Sequence, residues 1–417
     1  MTMKRYFRIL VSVLMISALT LSGTSCKKKE SPTFHRPEEK DDPGKGGAFD
    51  VEVGKALPAW EEGVLDIHAI NTARGECTYI ILPDGTTMVV DAGDLYNYTP
   101  SGYENDVPKP DKSAEPYKVY GAYINKYLPS GHNHIDYANI SHYHIDHYGA
   151  STTSGRTKDA QGGYTLAGIT GLYSIVPFDK LIDRSYPQYD LEGVENIAFY
   201  KDFVKYREPL GLKVEKFKLG TSEQFALKYN KDKYSNCKIV GYAQSGIIWD
   251  GSKEVDTKMT NENALSCAML LSYGKFDYFT SGDLNNNTPC SAIANAIGRK
   301  VEAMKCHHHM SNEGSFKTEN NIYQPKVIVT QSFYVRAEQP QQPIINAYAE
   351  GQDMFFTNID QTLLTAAPAI YNKAKGINGH VVIRVVPGGD SFYVYMMDDT
   401  NYEYIVTSIH GPYSCFE

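Results

Sequence analysis

Residues 141–149 read Ser-His-Tyr-His-Ile-Asp-His-Tyr-Gly. Four side chains that can ligate a metal, His142, His144, Asp146 and His147, fall within six residues. Side chains two apart on extended backbone share a face, so His142 and His144 can converge on one ion. Asp146 and His147 follow at once and can serve a neighbouring position. Imidazole and carboxylate leave a divalent cation Lewis-acidic, which suits hydrolysis. With 12 histidines in 417 residues, a chance cluster on a surface loop is a poor explanation of this spacing. A second run, His307-His308-His309, follows the apolar stretch 301–306, as the end of a strand would. Asp283, in Ser281-Gly282-Asp283-Leu284, follows the β-rich run 276–280, and Asp91 closes the run 87–90. Either aspartate also reads as an ordinary turn or cap residue.

These residues need strand ends to hold them, and the chain supplies strands. Residues 65–70 alternate weakly. Residues 77–82 and 87–90 flank the turn Pro83-Asp84-Gly85, which predicts a hairpin ending at Asp91. Residues 114–128 predict a helix with Tyr117, Tyr120, Tyr123 and Ile124 near one face. Residues 137–140 predict a short strand just before His142. Further strands are expected at 265–271, 276–280, 302–306 and 327–330, and helices at 194–206, 291–298 and 343–350. A closing hairpin joins 380–386 to 392–396 across Pro387-Gly388-Gly389. Residues 151–250 carry a weaker pattern. Interleaved strands and helices with hairpins at both ends predict an α/β fold with a mixed sheet. No repeat of fixed period is present.

Hydrophobic residues make up 42% of the chain and charged residues 22%, enough apolar content for a buried core. There are 41 basic and 49 acidic side chains. Lys4, Arg5 and Arg8 lie in the first 25 residues, which hold no acid; without that segment the balance is 38 against 49, or -11. Bulk charge therefore argues against a protein whose main role is to coat nucleic acid or anionic membrane. The basic start, the apolar run 9–21 and Gly23-Thr24-Ser25-Cys26 predict a signal peptide over 1–25 and lipidation of Cys26. The apolar run is short of the ~20 residues that span a bilayer. Residues 26–58 are expected to be a lipid-anchored tether, charged and rich in Pro and Gly at first. The protein is thus expected to be exported and lipid-anchored to the bacterial membrane, facing the periplasm or the cell surface. Seven cysteines include no CxxC pair, against a zinc ribbon. Cys77, Cys267 and Cys306 fall in apolar runs, where buried free thiols are expected.

The motif HxHxDH is joined, in order along the chain, by several other phrases. They are Arg74-Gly75-Glu76-Cys77, Leu82-Pro83-Asp84-Gly85, Val90-Asp91-Ala92-Gly93, Ser281-Gly282-Asp283-Leu284 and Lys305-Cys306-His307-His308-His309. Together they resemble the metallo-β-lactamase superfamily. Within it they look most like the hydrolase domain of ComEC-type competence proteins and bacterial phosphorylcholine esterases. The resemblance runs from about Leu65 to Met397. It implies a four-layer αβ/βα sandwich with mixed sheets for residues 59–417 and a metal site at its edge. It implies that His142 and His144 hold one metal, that Asp146 and His147 hold another, and that Asp283 bridges them. Asp91 would support the site from behind by hydrogen-bonding a ligand histidine. The family pattern His-His-Gly-Ser, aligned on Met310-Ser311, selects His308 as the last ligand, with His309 beside it as a catalytic residue. Met310 stands where glycine is usual, which leaves that register open by one residue. The implied cofactor is zinc, two ions, with manganese as the alternative.

No histidine lies between His147 and His307. Lactamases, glyoxalases and lactonases of the resembled superfamily usually place a middle histidine on the first metal, and ComEC-like proteins often do not. The expected activity is therefore that of a metallo-hydrolase whose nucleophile is hydroxide generated at the metal and oriented by Asp146. Its substrate would be a small molecule or a phosphodiester: nucleic acid only as substrate, or a phospho-decorated glycan or lipid. Asn261-Glu262-Asn263 either reaches the site or forms a strand-start turn. Two alternatives stay open. One is hydrolysis of carboxyl-ester, amide or lactam bonds. The other is a non-catalytic surface lipoprotein that binds a glycan or peptide on a degenerate hydrolase fold. The 32 tyrosines favour the second, and the filled ligand positions oppose it. Tyr96, Tyr98, Tyr103, Tyr148, Tyr164 and Tyr173 flank the motif as an aromatic wall or, more simply, as packing residues. His68, His132, His134, His380 and His410 read as structural.

Overall fold

Two nine-stranded sheets face each other in the computed structural model of the protein. The structure describes residues 47–417 apart from 73–74, 95–107, 151, 192–193, 195, 312, 333–339, 350 and 360–372. The expected signal peptide, Cys26, residues 27–46, Arg74, Tyr96, Tyr98 and Tyr103 lie outside the described residues.

The first sheet contains β1 (Leu65–Ala69), β2 (Thr78–Ile81), β3 (Thr87–Val90), β4 (Ile135–Asn139), β5 (Phe178–Asp183) and β6 (Lys213–Lys216). The second contains β7 (Cys237–Gln244), β8 (Ile247–Trp249), β9 (Glu254–Asp256), β10 (Ala268–Tyr273), β11 (Phe276–Thr280), β12 (Ala303–Lys305), β13 (Val327–Thr330), β14 (Asp353–Phe356) and β15 (Ala374–Ile377). The chain then returns to the first sheet as β16 (His380–Val385), β17 (Ser391–Met397) and β18 (Val406–Ser414). The strand orders are β18-β17-β16-β1-β2-β3-β4-β5-β6 and β15-β14-β13-β12-β11-β10-β7-β8-β9. Each sheet is antiparallel over one part and parallel over the other. The change falls after β3 in the first sheet and after β11 in the second.

Strand side chains alternate between faces, and the burial follows that period. Leu65, Ile67 and Ala69 of β1 meet Met269 and Leu271 of β10, Val327 of β13 and Phe355 of β14 in a core between the sheets. Their neighbours point the other way. Tyr79, Ile81 and Val89 pack against α1 (Pro116–Tyr127), α3 (Gly168–Ile175) and α4 (Ile197–Arg207), between which lies the short α2 (Ile145–Tyr148). Leu270, Ile328, Met354 and Phe356 pack against α5 (Asn287–Ile297), α6 (Lys317–Tyr323) and α7 (Gln342–Ala347). Helix, sheet, sheet and helix enclose three apolar layers, the four-layer αβ/βα sandwich with mixed sheets.

Arg384 on β16 is fully buried and grips Asp66 on β1 through Nε–Oδ1 at 2.8 Å and Nη2–Oδ2 at 2.7 Å. Its remaining N–H groups donate to the carbonyls of Ala48 and Pro58. Residues 47–58, read above as the end of the tether, are thereby held on the sheet, with Ala48 and Leu57 buried. Cys77, Cys237, Cys267, Cys290 and Cys306 are buried free thiols. Tyr148 and Tyr164 are packed inside the helix-side core. His380 accepts the Asn71 N–H at Nδ1 (3.0 Å), a structural role.

Candidate metal centre

The two sheets present corresponding strand ends to one another. β3 and β4 run parallel in one sheet, β11 and β12 in the other. Asp91, Ser141-His142, Ser281-Gly282-Asp283 and His307-His308-His309 all follow the carboxyl ends of these four strands. In open α/β sheets this is the edge at which ligands bind.

Asp91 follows β3 with φ +62°, a left-handed conformation that turns its carboxylate under the next loop. Asp91 Oδ1 accepts the Ser141 N–H at 2.7 Å, and Oδ2 accepts the Ser141 hydroxyl at 2.7 Å. His147 Nδ1 donates to the same Oδ2 at 2.8 Å, which leaves Nε2 facing Asp283 Oδ2 at 3.1 Å. This is the support expected of Asp91. Because the Ser141 hydroxyl is spent on Asp91, its oxygen receives His142 Nδ1–H at 3.1 Å, and His142 Nε2 turns inward. His142 Nε2 lies 3.1 Å from His144 Nδ1 and 4.0 Å from Asp283 Oδ2. The loop carrying these residues sits tightly on the β1–β2 and β3 ends. Glu76 N–H donates to Asp146 O at 2.8 Å, and a Cβ on Gly93 would fall 1.8 Å from that oxygen. Only glycine fits there.

After β12 the chain makes a turn in which His308, His309 and Met310 have φ of +47°, +51° and +61°. Each non-glycine residue so placed costs about 1–2 kcal/mol. Bonds from Ser311 N–H to His308 O and from Gln341 N–H to Met310 O, both 2.8 Å, hold the turn. Its effect is to swing His309 inward. His309 Nδ1 donates to Gln331 O at 2.7 Å, and Nε2 lies 3.2 Å from Asp146 Oδ2 and 3.3 Å from Asp283 Oδ2. His308 instead receives Asn263 Nδ2–H at Nε2 (3.1 Å) and bonds the Ser311 hydroxyl through Nδ1 (2.8 Å). The structure thus brings His309, not His308, into the donor group. The expected strand end gives way to a left-handed turn, which moves the inward ring on by one residue.

Asp283 Oδ2 is the common point. Around it stand one group of Glu76, His147 and His309 and another of His142 and His144, with donor atoms of each group within 4.8 Å of one another. Asp146 adjoins the first group through His309. All are buried except His144 and Asp146, whose side chains are partly exposed and mark the open side.

The donor set fits a divalent cation, and the charge state argues the same way. Burial would lower His147 and His309, yet Asp283 and Glu76 drive His147 well above its ordinary value and His309 up to about 10. Burial would raise Asp146 and Asp283, yet His147 and His309 hold both well below the usual carboxylate range. The carboxylates thus draw positive charge into the cluster, the charge that a divalent ion would supply. His142 is pushed well below its ordinary value, by burial first and then by His147 and His144, and so keeps the neutral form that ligates. Asp283 Oδ1 is buried and makes no hydrogen bond, with Lys305 Nζ 3.8 Å away. Buried polar atoms left this way ask for a further partner.

Two features of the site carry no local sequence signal. Glu76 is buried, and burial raises its carboxyl despite Lys305, His147 and His309 nearby. Lys305 is buried against it, with Nζ 2.8 Å from Glu76 Oε1 and 3.8 Å from Asp283 Oδ1, and donates to Gly282 O at 2.6 Å. Both lie in phrases that carry the resemblance, Arg74-Gly75-Glu76-Cys77 and Lys305-Cys306-His307, but neither residue type there announces a site role. Glu262 accepts the Tyr143 N–H (2.8 Å) and forms a two-pronged pair with Arg184 (3.0 and 2.5 Å). Asn261-Glu262-Asn263 thus reaches the ligand loops, as a brace.

No protein-family model matches the chain, and neither does any curated protein. Among solved structures, it is similar to Zn(2+)-bound PqqB from Methylobacterium extorquens, at 8% identity over 74% of this chain and 86% of that one (TM-score 0.35). It is also similar to unliganded yeast PDE1, at 12% identity over 76% and 99% of the two chains (TM-score 0.32). A third is a protein of unknown function from Enterococcus faecalis V583, at 10% identity over 76% and 87% (TM-score 0.26).

Proposed function

We propose that the protein is a metal-dependent hydrolase that acts on phosphodiesters, exported and anchored through Cys26. The observation that carries this reading is the convergence of His142, His144, Asp146, His147, His309 and Glu76 around one Asp283 carboxylate, with His144 and Asp146 partly exposed. Divalent ions held there, zinc or manganese, would act as Lewis acids and make water nucleophilic near neutral pH.

The chain's own groups divide the remaining work. Asp283 Oδ2 serves both donor groups and sets their separation. Asp91 and Gln331 O fix the tautomers of His147 and His309, so that Nε2 of each faces Asp283. Asp146, ionised and partly exposed, can accept a hydrogen bond from water entering the open side and orient it. Lys305 binds Glu76 and the Gly282 carbonyl and keeps the Asp283 turn in place.

Glu76, Asp91, Asp146 and Asp283 crowd four carboxyl groups around the one ammonium of Lys305, a surplus that divalent ions would offset. Ions held there would present Lewis-acidic charge to the oxygens of a phosphodiester. The absence of any histidine between His147 and His307 supports the same reading. The test is hydrolysis of bis(p-nitrophenyl) phosphate by the full chain, depleted with chelator and reloaded with Zn²⁺ or Mn²⁺. Metal-dependent turnover that disappears in Asp146→Ala is expected. Turnover of a lactam or carboxyl ester with none of the diester would replace the substrate class. No hydrolysis of any of them by the loaded protein would favour the binding lipoprotein.

A further inference from the structure

We propose that Cys290, His307 and Glu319 form a separate, closed site for a structural divalent metal behind the candidate centre. Cys290 lies on α5, His307 opens the turn after β12, and Glu319 lies on α6. One ligand atom from each falls within 4.8 Å of the others, and all three residues are buried. Thiolate, imidazole and carboxylate all bind zinc, and burial of all three sets this cluster apart from a catalytic site, which keeps a position open.

The second observation is an unmet carboxylate oxygen. Glu319 has no exposed surface. Its Oε1 receives His307 Nε2–H at 2.7 Å, but its Oε2 makes no hydrogen bond. The surroundings are apolar: Cys290 and Tyr323 belong to the core of the second sheet's outer face with Phe279 and Ile293. Among the described residues, no lysine or arginine pairs with Glu319. A carboxylate so placed calls for a cation, and the thiol and imidazole beside it are ligands for one. Binding would release the Cys290 thiol proton to solvent.

The site would have a mechanical role. The other nitrogen of His307 contacts the Ser281 hydroxyl, two residues before Asp283, and His309 follows two residues after His307. One ion would therefore tie α5 and α6 to both segments that deliver the second sheet's donors.

The test is spectroscopic and does not depend on activity. The full chain is stripped with chelator and titrated with Co²⁺. A thiolate-to-cobalt charge-transfer band in the near ultraviolet is expected, because Cys290 ligates. Among the described residues the donors of the candidate centre are nitrogen and oxygen, which give the weaker visible bands alone. Cys290→Ser is expected to lose the near-ultraviolet band and keep the visible ones. Glu319→Gln, which preserves the size of the side chain, is expected to lose the band at stoichiometric cobalt. Visible bands without the near-ultraviolet band overturn this site and leave the hydrolase centre standing, and a near-ultraviolet band that survives Cys290→Ser overturns it as well.

Discussion

The two donor groups that share Asp283 differ in how firmly they are held. On one side His147 is fixed by Asp91, His309 by Gln331 O, and Glu76 by Lys305, at 2.8, 2.7 and 2.8 Å. On the other side His142 is fixed by Ser141, while His144 stands partly exposed and, among the described residues, no third imidazole completes the set. Ligand orientation set in advance raises metal affinity, so the His147–His309 side should bind the first ion and the His142–His144 side a second, weaker one. The open side is also where a substrate oxygen can approach. The contrast suggests that one half is built to retain metal and the other to exchange ligands.

The largest effect is expected where the two halves meet. Asp283→Ala removes the shared oxygen, and both ions should be lost, with hydrolysis down by about 10²–10³-fold or more, the scale of losing preorganised charge stabilisation. Metal content and turnover on the same sample check it. Next comes the choice within the histidine run. His309→Ala should remove the tight ion and nearly all activity, whereas His308→Ala should retain the tight ion. The reverse result would move the ligand by one residue. Third, Glu76→Gln takes from the buried Lys305 ammonium its nearest counter-charge and leaves Asp283 at 3.8 Å. The metal-free variant should unfold about 3–5 kcal/mol more easily, the usual penalty for breaking a buried pair; denaturant titration measures it. Fourth, Asp91→Asn should weaken metal binding on the firm side by about 10–100-fold and leave the fold intact. The smallest change in binding is expected from His144→Ala, which should abolish the weak ion alone.

Much of this was legible in the chain, for reasons that differ by element. The strands 87–90, 276–280 and 327–330 match β3, β11 and β13 because their apolar runs are bounded by turns. The helix expected at 114–128 is Pro116–Tyr127, its tyrosine face buried against the first sheet. Residues 151–250 were harder. They hold β5 to β8, of which β6 and β8 are short strands at or near a sheet edge. Such strands carry little alternation to detect. At the site, His142, His144, Asp146 and His147 were visible because they are neighbours in sequence. Glu76 and Lys305 meet only through pairing of the two sheets, so neither has a local pattern. The His308 and His309 register turned on three successive left-handed residues, which residue type does not announce unless glycine is among them.

The central claim is that Asp283 joins a tight and a weak metal position, and calorimetric titration of the chelator-stripped protein with Zn²⁺ tests it most directly. His144→Ala and His309→Ala are titrated beside the wild type, and Cys290→Ser serves as the background so that any structural ion is not counted. Two unequal binding steps are predicted, the weak one missing in His144→Ala and the tight one missing in His309→Ala. Absence of binding, or two equal steps that both survive His309→Ala, would contradict the account.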